Sequence, residues 1–175
     1  MPRIAFFALL AFVAPCLGHA KTLTVVTTTD FHGALDPADG MGGAEALASA
    51  LKVMRDKEGA ENVLWVDAGD LFQGTLISNE QEGEAVVRVF NHLGLAAAAL
   101  GNHEFDYGPT GPASTPRSRT DDPRGALKAR VKQMRFPLLA VNVRTDDGKL
   151  PQWLKRSTVV TKAGVKVGII GASAL

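Results

Sequence analysis

The sequence has one cysteine, Cys16, and it lies in a stretch that reads as a leader removed before the protein works. Disulfides therefore have no part in the expected fold, although a cysteine-free chain tolerates an oxidising compartment. Aromatic residues make up 6% of the chain, too few for the stacking platforms that hold single-stranded nucleic acid. Neither sign of charge prevails. A net charge of +1 gives no electrostatic case for a nucleic acid polymer or an anionic membrane as partner. Long apolar runs are missing as well: Ile4 to Val13 falls far short of the ~20 residues needed to span a bilayer, which argues against stable membrane insertion. What remains is ordinary globular usage, 46% hydrophobic and 21% charged over 175 residues, about one domain in length.

The first twenty residues have the layout of a secretory signal peptide. Arg3 supplies the positive start, Ile4 to Val13 the apolar middle, and Gly18-His19-Ala20 a small-x-small cleavage site. Cleavage after Ala20 is expected to deliver residues 21–175 to the periplasm or the exterior. Pro15 ahead of Cys16 argues against lipid attachment there. Loss of Arg3 leaves 18 basic and 18 acidic residues.

Past the leader, strand-type and helix-type segments alternate. Leu23 to Thr28, Asn62 to Val66, Leu95 to Leu100, Pro137 to Val143 and Lys166 to Gly171 read as strands, the last of them buried. Helical spacing runs from Ala44 to Lys57 through Leu47, Leu51 and Met54, and from Glu82 to Leu93 through Val86, Val89, Phe90 and Leu93. Gly59 and Gly94 close these two helices. A basic helix is expected over Ala126 to Met134, a turn at Asp146-Asp147-Gly148, and a long loop over Tyr107 to Gly125, a length uncommon unless functional or mobile. Such alternation predicts a layered α/β fold, in which ligands bind beyond the carboxyl ends of the strands.

Three polar clusters fall at those ends: TTTDFHG (Thr27 to Gly33), DAGDLFQG (Asp67 to Gly74) and GNHEFDYG (Gly101 to Gly108). Asp30 and His32 are two apart, and in a continuing strand both would face one ion, with Phe31 turned into the core. Carboxylate with imidazole suits zinc, manganese or iron better than calcium. Asp70 can bridge two cations because it has two oxygens, whereas Asp67 reads as a turn cap. Asn102 offers a neutral amide oxygen. His103 is freer to face a substrate, and Asp106 can accept a hydrogen bond from its ring and fix its tautomer. Glu104 reads as a loop hydrogen-bonding group and His92 as a surface residue at a helix end. Arg117, Arg119 and Arg124 read as a solvated loop face rather than a phosphate-steering one.

The motifs DFHG, GDLFQG and GNHEFDYG, followed by PLLAVNV (Pro137 to Val143) and GVKVGIIGAS (Gly164 to Ser173), resemble the calcineurin-like metallophosphoesterases, within them the exported 5′-nucleotidase and UDP-sugar hydrolase group. The resemblance implies a layered α/β/β/α sandwich, incomplete in this chain, and two divalent metal ions such as zinc, manganese or cobalt. It implies that Asp30 and His32 hold the first ion, that Asp70 bridges, that Asn102 binds the second, and that His103, held by Asp106, acts on the phosphoryl group or the leaving oxygen of a small nucleotide. Two cations can clamp the attacking and leaving oxygens of an in-line displacement, so no serine or cysteine nucleophile is required. The group's later histidines and its base-stacking domain have no counterpart up to Leu175. The expectation is thus an N-terminal portion of a longer enzyme, from a fragment or a shortened gene and inactive alone. A thiosulfate-ester hydrolase on the same scaffold, or a non-catalytic exported module, are the competing readings. Which nucleotide is preferred and the oligomeric state are left open.

Overall fold

A computed structural model describes residues 21–174 apart from Asp39 and Met41; the expected leader lies outside the described residues. Four parallel strands form the main sheet in the order β1-β2-β3-β4: β1 is Thr24–Thr28, β2 Val63–Asp67, β3 Ala97–Ala99 and β4 Leu138–Leu139. Parallel neighbours need a crossover, usually helical. Here α1 (Gly43–Glu58) joins β1 to β2, α3 (Glu84–Leu93) joins β2 to β3, and α4 (Gly125–Gln133) joins β3 to β4. A single turn of helix, α2 (Leu76–Asn79), precedes α3. Because α3 touches both α1 and α4, the three crossovers line up as one layer.

The core follows from that arrangement. β2 lies between two partners, so its Val63, Leu64 and Trp65 are all buried, the near-continuous apolar run of an interior parallel strand. Phe90 of α3 is its anchor: it is 0% exposed and meets the rings of Trp65 and Phe31 edge-on at 5.0 and 4.9 Å. Phe31 thus turns inward as its sequence position suggested. Gly94, at φ 78°, ends α3 with its N–H on the Phe90 carbonyl, the left-handed stop that glycine adopts without a side-chain clash. No helix among the described residues is long and apolar enough to cross a membrane.

Several sequence expectations need correction. The strand expected over Pro137 to Val143 pairs with β3 only at Leu138 and Leu139. Beyond them the backbone turns to other partners, Ala140 donating to the Lys155 carbonyl and Val141 to that of Gly171. The strand expected to be buried is β6 (Val165–Ile170), and it pairs antiparallel with an unforeseen β5 (Ser157–Lys162). That hairpin is largely open: Val159 is 65% and Ile170 73% exposed. Apolar β-branched composition alone could not show that no layer covers it. Met54, expected on the inner stripe of α1, is exposed, whereas Leu51 is buried. The second layer of the expected sandwich is represented among the described residues by this hairpin alone. The Thr110–Gly125 segment has no helix or strand ahead of α4, as expected.

These packing differences have a measurable consequence. Phe90→Ala should lower unfolding free energy by about 3–5 kcal/mol, and Val159→Thr should change it by less than about 0.5 kcal/mol, both read from urea denaturation. Equal losses at the two positions would contradict the assigned core.

Candidate metal centre

The carboxyl ends of β1 and β2 do not simply fray into loops. Past Thr28 the two chains stay joined, Ala68 N–H donating to the Thr28 carbonyl (2.8 Å), Asp30 to Gly69 (3.0 Å), His32 to Asp70 (2.9 Å) and Gly33 to Leu71 (2.9 Å). To keep these bonds Asp30, His32 and Asp70 take φ of 52°, 49° and 60°. Left-handed backbone outside glycine costs on the order of 1–3 kcal/mol per residue and gathers at functional sites. Here lies a further correction: Asp30 and His32 converge because both occupy left-handed turns, not because a strand continues through them.

Donor atoms of Asp30, His32 and Asp70 lie within 4.8 Å of one another. Each is oriented by a neighbour. The His32 Nδ1 lies 2.8 Å from the Gln73 carbonyl, which fixes the proton on Nδ1 and leaves Nε2 as the free lone pair, the usual preparation of a metal-binding imidazole. That Nε2 stands 3.7 Å from Asp30 Oδ1. The Thr29 hydroxyl donates to Asp30 Oδ2 at 2.5 Å, and Asp70 Oδ1 accepts the His103 N–H at 2.8 Å. Among the described residues neither Asp30 nor Asp70 pairs with a lysine or arginine. Two carboxylates and an imidazole held together without a compensating cation fit a divalent metal ion. Gly101 is part of the fit, since a Cβ there would lie 2.2 Å from Asp70 Oδ1.

His103 leads a 3-10 turn, His103–Phe105, and its ring stands edge-on to that of His32, centroids 4.8 Å apart. Its Nδ1 is 2.6 Å from Asp106 Oδ2, so Nε2 is the nitrogen left for a ligand. The hydrogen bond to Asp106, first among the causes, pushes the His103 pKa upward. Asn102 is exposed and immediately precedes the turn, between Gly101, packed on Asp70, and His103. The structure therefore gathers Asp30, His32 and Asp70, sets His103 with Asp106 beside them, and puts Asn102 at the edge of the same loop.

Two buried carboxyls stand behind this group. Asp67 caps the turn, accepting from Gly69 N–H (2.7 Å) and the Thr28 hydroxyl (2.5 Å), which itself accepts from Trp65 Nε1 (2.9 Å). Burial, outweighing those bonds, pushes Asp67 up to about 6. Glu104 is a loop hydrogen-bonding group, as expected, but one that reaches another loop. Its side chain is 1% exposed and accepts three backbone N–H groups: Leu71 on Oε1 (2.6 Å), and Asp70 (3.0 Å) and Gly101 (2.7 Å) on Oε2. Burial still raises it to about 7. A glutamate flanked by histidine and phenylalanine gives no sequence sign of facing inward, and the Gln73 carbonyl gives none of where it points. His92 is exposed at the end of α3, as expected.

Residues 23–165 match the calcineurin-like phosphoesterase family. The chain belongs to that family. Among relatives of the calcineurin-like phosphoesterases, the snake venom 5′-nucleotidase of Naja atra is 32% identical over 162 residues, which is 85% of this chain and 28% of that protein. The crystal structure of a 5′-nucleotidase precursor from Thermus thermophilus superposes with a TM-score of 0.67 at 34% identity, covering 86% of this chain and 28% of the other. A sulfate thiohydrolase from the same organism shares the fold, with a TM-score of 0.68 at 17% identity over 90% of this chain and 36% of its own. The chain thus spans little more than a quarter of the nucleotidases it matches.

Asp70 lies within the donor cluster and His103 beside it. After dialysis against Mn²⁺ and removal of free metal, Asp70→Ala should retain less than about a tenth of the wild-type metal. His103→Ala should retain nearly all of it, since its ring is turned to Asp106. Elemental analysis reads both. Loss of metal from His103→Ala would reverse the two roles.

Proposed function

We propose that the chain is the metal-binding N-terminal portion of the catalytic domain of an exported phosphoester hydrolase of the 5′-nucleotidase type. The observation that carries this reading is the convergence of Asp30, His32 and Asp70 beside a histidine already hydrogen-bonded to its own aspartate. Asp30 and His32 would hold one ion, Asp70 would serve both, and Asn102 would serve the second. Carboxylate, imidazole and amide donors together accept zinc, manganese or cobalt. When bound, the ions supply Lewis-acid stabilisation of an in-line phosphoryl transfer to water.

The chain's own residues do the remaining work. Asp106 keeps the His103 proton on Nδ1 in the neutral ring and favours the imidazolium, so Nε2 can donate a proton to the leaving oxygen or a hydrogen bond to the phosphoryl group. Glu104 keeps the Asp70 and Gly101 backbones at a fixed spacing, so His103 and the cradle keep their separation. The second ion has only Asp70 and Asn102 as assigned donors among the described residues, so the chain by itself should hold the first ion far more tightly.

A small nucleotide is the substrate class, supported by nucleotidases 32% and 34% identical to this chain. The thiosulfate-ester alternative rests on a neighbour 17% identical, a likeness of fold alone. Export rests on the layout of residues 1–20.

Turnover of AMP and p-nitrophenyl phosphate by the complete gene product should appear with Mn²⁺, Zn²⁺ or Co²⁺ and vanish with a chelator. His103→Ala should lower kcat by about 10²–10⁴-fold, the range of one acid–base group. A metal-loaded protein with no turnover of either ester would leave the non-catalytic binding module standing instead.

A further inference from the structure

Phe105, at the end of the His103–Phe105 turn, lines a cavity of about 360 Å³ that is bounded also by the start of α4 and the segment from Val143 to Trp153. It shares no lining residue with the Asp30–His32–Asp70 cradle. Its walls are of two kinds. Phe105 and Trp153 form an aromatic corner, rings edge-on with centroids 6.4 Å apart, beside the buried Pro151. Arg124, Lys128 and Arg144 supply the charged part of the lining.

The charge of that second wall is only partly neutralised. Lys128 pairs with Asp122 at 2.7 Å, but among the described residues neither Arg124 nor Arg144 takes part in an ion pair. Arg144 is nonetheless held, one guanidinium nitrogen donating to the Val141 and Val143 carbonyls at 2.6 and 2.8 Å. An anchored guanidinium with further N–H groups is suited to a phosphate, which it can grip through two parallel bonds. An aromatic corner is suited to a flat ring, whose face any aromatic side chain can meet. The cavity volume falls within the ~300–1,000 Å³ usual for small-molecule sites.

We propose that this cavity binds a mononucleotide, phosphate on Arg144 and Arg124 and base against Trp153, as a site separate from the metal cradle. It goes beyond the hydrolase reading and stands whether or not the cradle turns over a phosphoester. Arg124 is exposed, as its reading as part of a solvated loop face expected, and the proposal adds a ligand to that exposed guanidinium.

Tryptophan emission reports on the site directly. Of the two tryptophans, Trp65 is 1% exposed in the core and Trp153 lines the cavity. AMP titrated into the chain after leader removal (residues 21–175) in excess EDTA, so that no metal-held substrate contributes, should change the emission saturably. Adenosine, which lacks the phosphate, and inorganic phosphate, which lacks the ring, should each bind at least tenfold more weakly. Arg144→Ala should weaken AMP binding tenfold or more with an unchanged circular dichroism spectrum, and Trp153→Phe should abolish the signal. No saturable change in the wild type would overturn the proposal. So would wild-type affinity in both Arg144→Ala and its combination with Arg124→Ala, or adenosine or phosphate binding as tightly as AMP.

Discussion

A carboxylate placed inside a protein needs partners, and Glu104 finds them in the backbones of two different loops. Its oxygens accept from Asp70, Leu71 and Gly101, so one side chain ties the end of β2 to the end of β3. Hydrogen bonds to a charged group contribute about 1.5–3 kcal/mol each, and a buried donor left without a partner costs about 1–3 kcal/mol. Three of them together are large against the 5–15 kcal/mol that separates a folded domain from its unfolded chain. Burial opposes ionisation strongly enough to raise Glu104 to about 7, so the tie is strongest where its carboxyl is ionised and able to accept all three donors.

Everything near the metal cradle inherits its position from that tie. Asp70 takes a left-handed φ while its N–H is fixed by Glu104, its carbonyl by the His32 N–H, and its carboxylate by the His103 N–H. A conformation costing on the order of 1–3 kcal/mol is held by bonds on every polar group of the residue. Gly101 has no side chain to displace the Asp70 oxygen. His32 is constrained through Gln73, and His103 through Asp106. The donors are thus held from the protein side by bonds to their own neighbours.

Much of this was legible in the residues. The helices α1 and α3 announce themselves through the spacing of Leu47 and Leu51 and of Val86 and Phe90, α4 through its basic composition, and the layered α/β fold follows from their alternation with strands. The polar clusters at strand ends offered Asp30, His32, Asp70 and Asn102 as donors, of which the first three gather in one cluster, and His103 with Asp106 as a pair. What escaped was whatever depends on direction rather than composition. The positive φ of Asp30 and His32 arises from pairing with Gly69 and Asp70, on a segment far along the sequence. Glu104 points inward because its acceptors are needed there, not because of any residue beside it. The exposure of Ile170 depends on what else packs against the hairpin, which no local pattern of β-branched residues records.

Calorimetric titration of Mn²⁺ into the wild-type chain and into Glu104→Gln, with circular dichroism to verify that both are folded, addresses the tie most directly. Glutamine keeps the shape but has one acceptor oxygen in place of two. Outer-shell partners of metal sites are worth about 10–100-fold in affinity, and a loss of that size is the expected result, although Glu104 itself touches no ion. A folded Glu104→Gln protein that bound Mn²⁺ as tightly as the wild type would contradict the assignment of the cradle's geometry to this buried carboxylate.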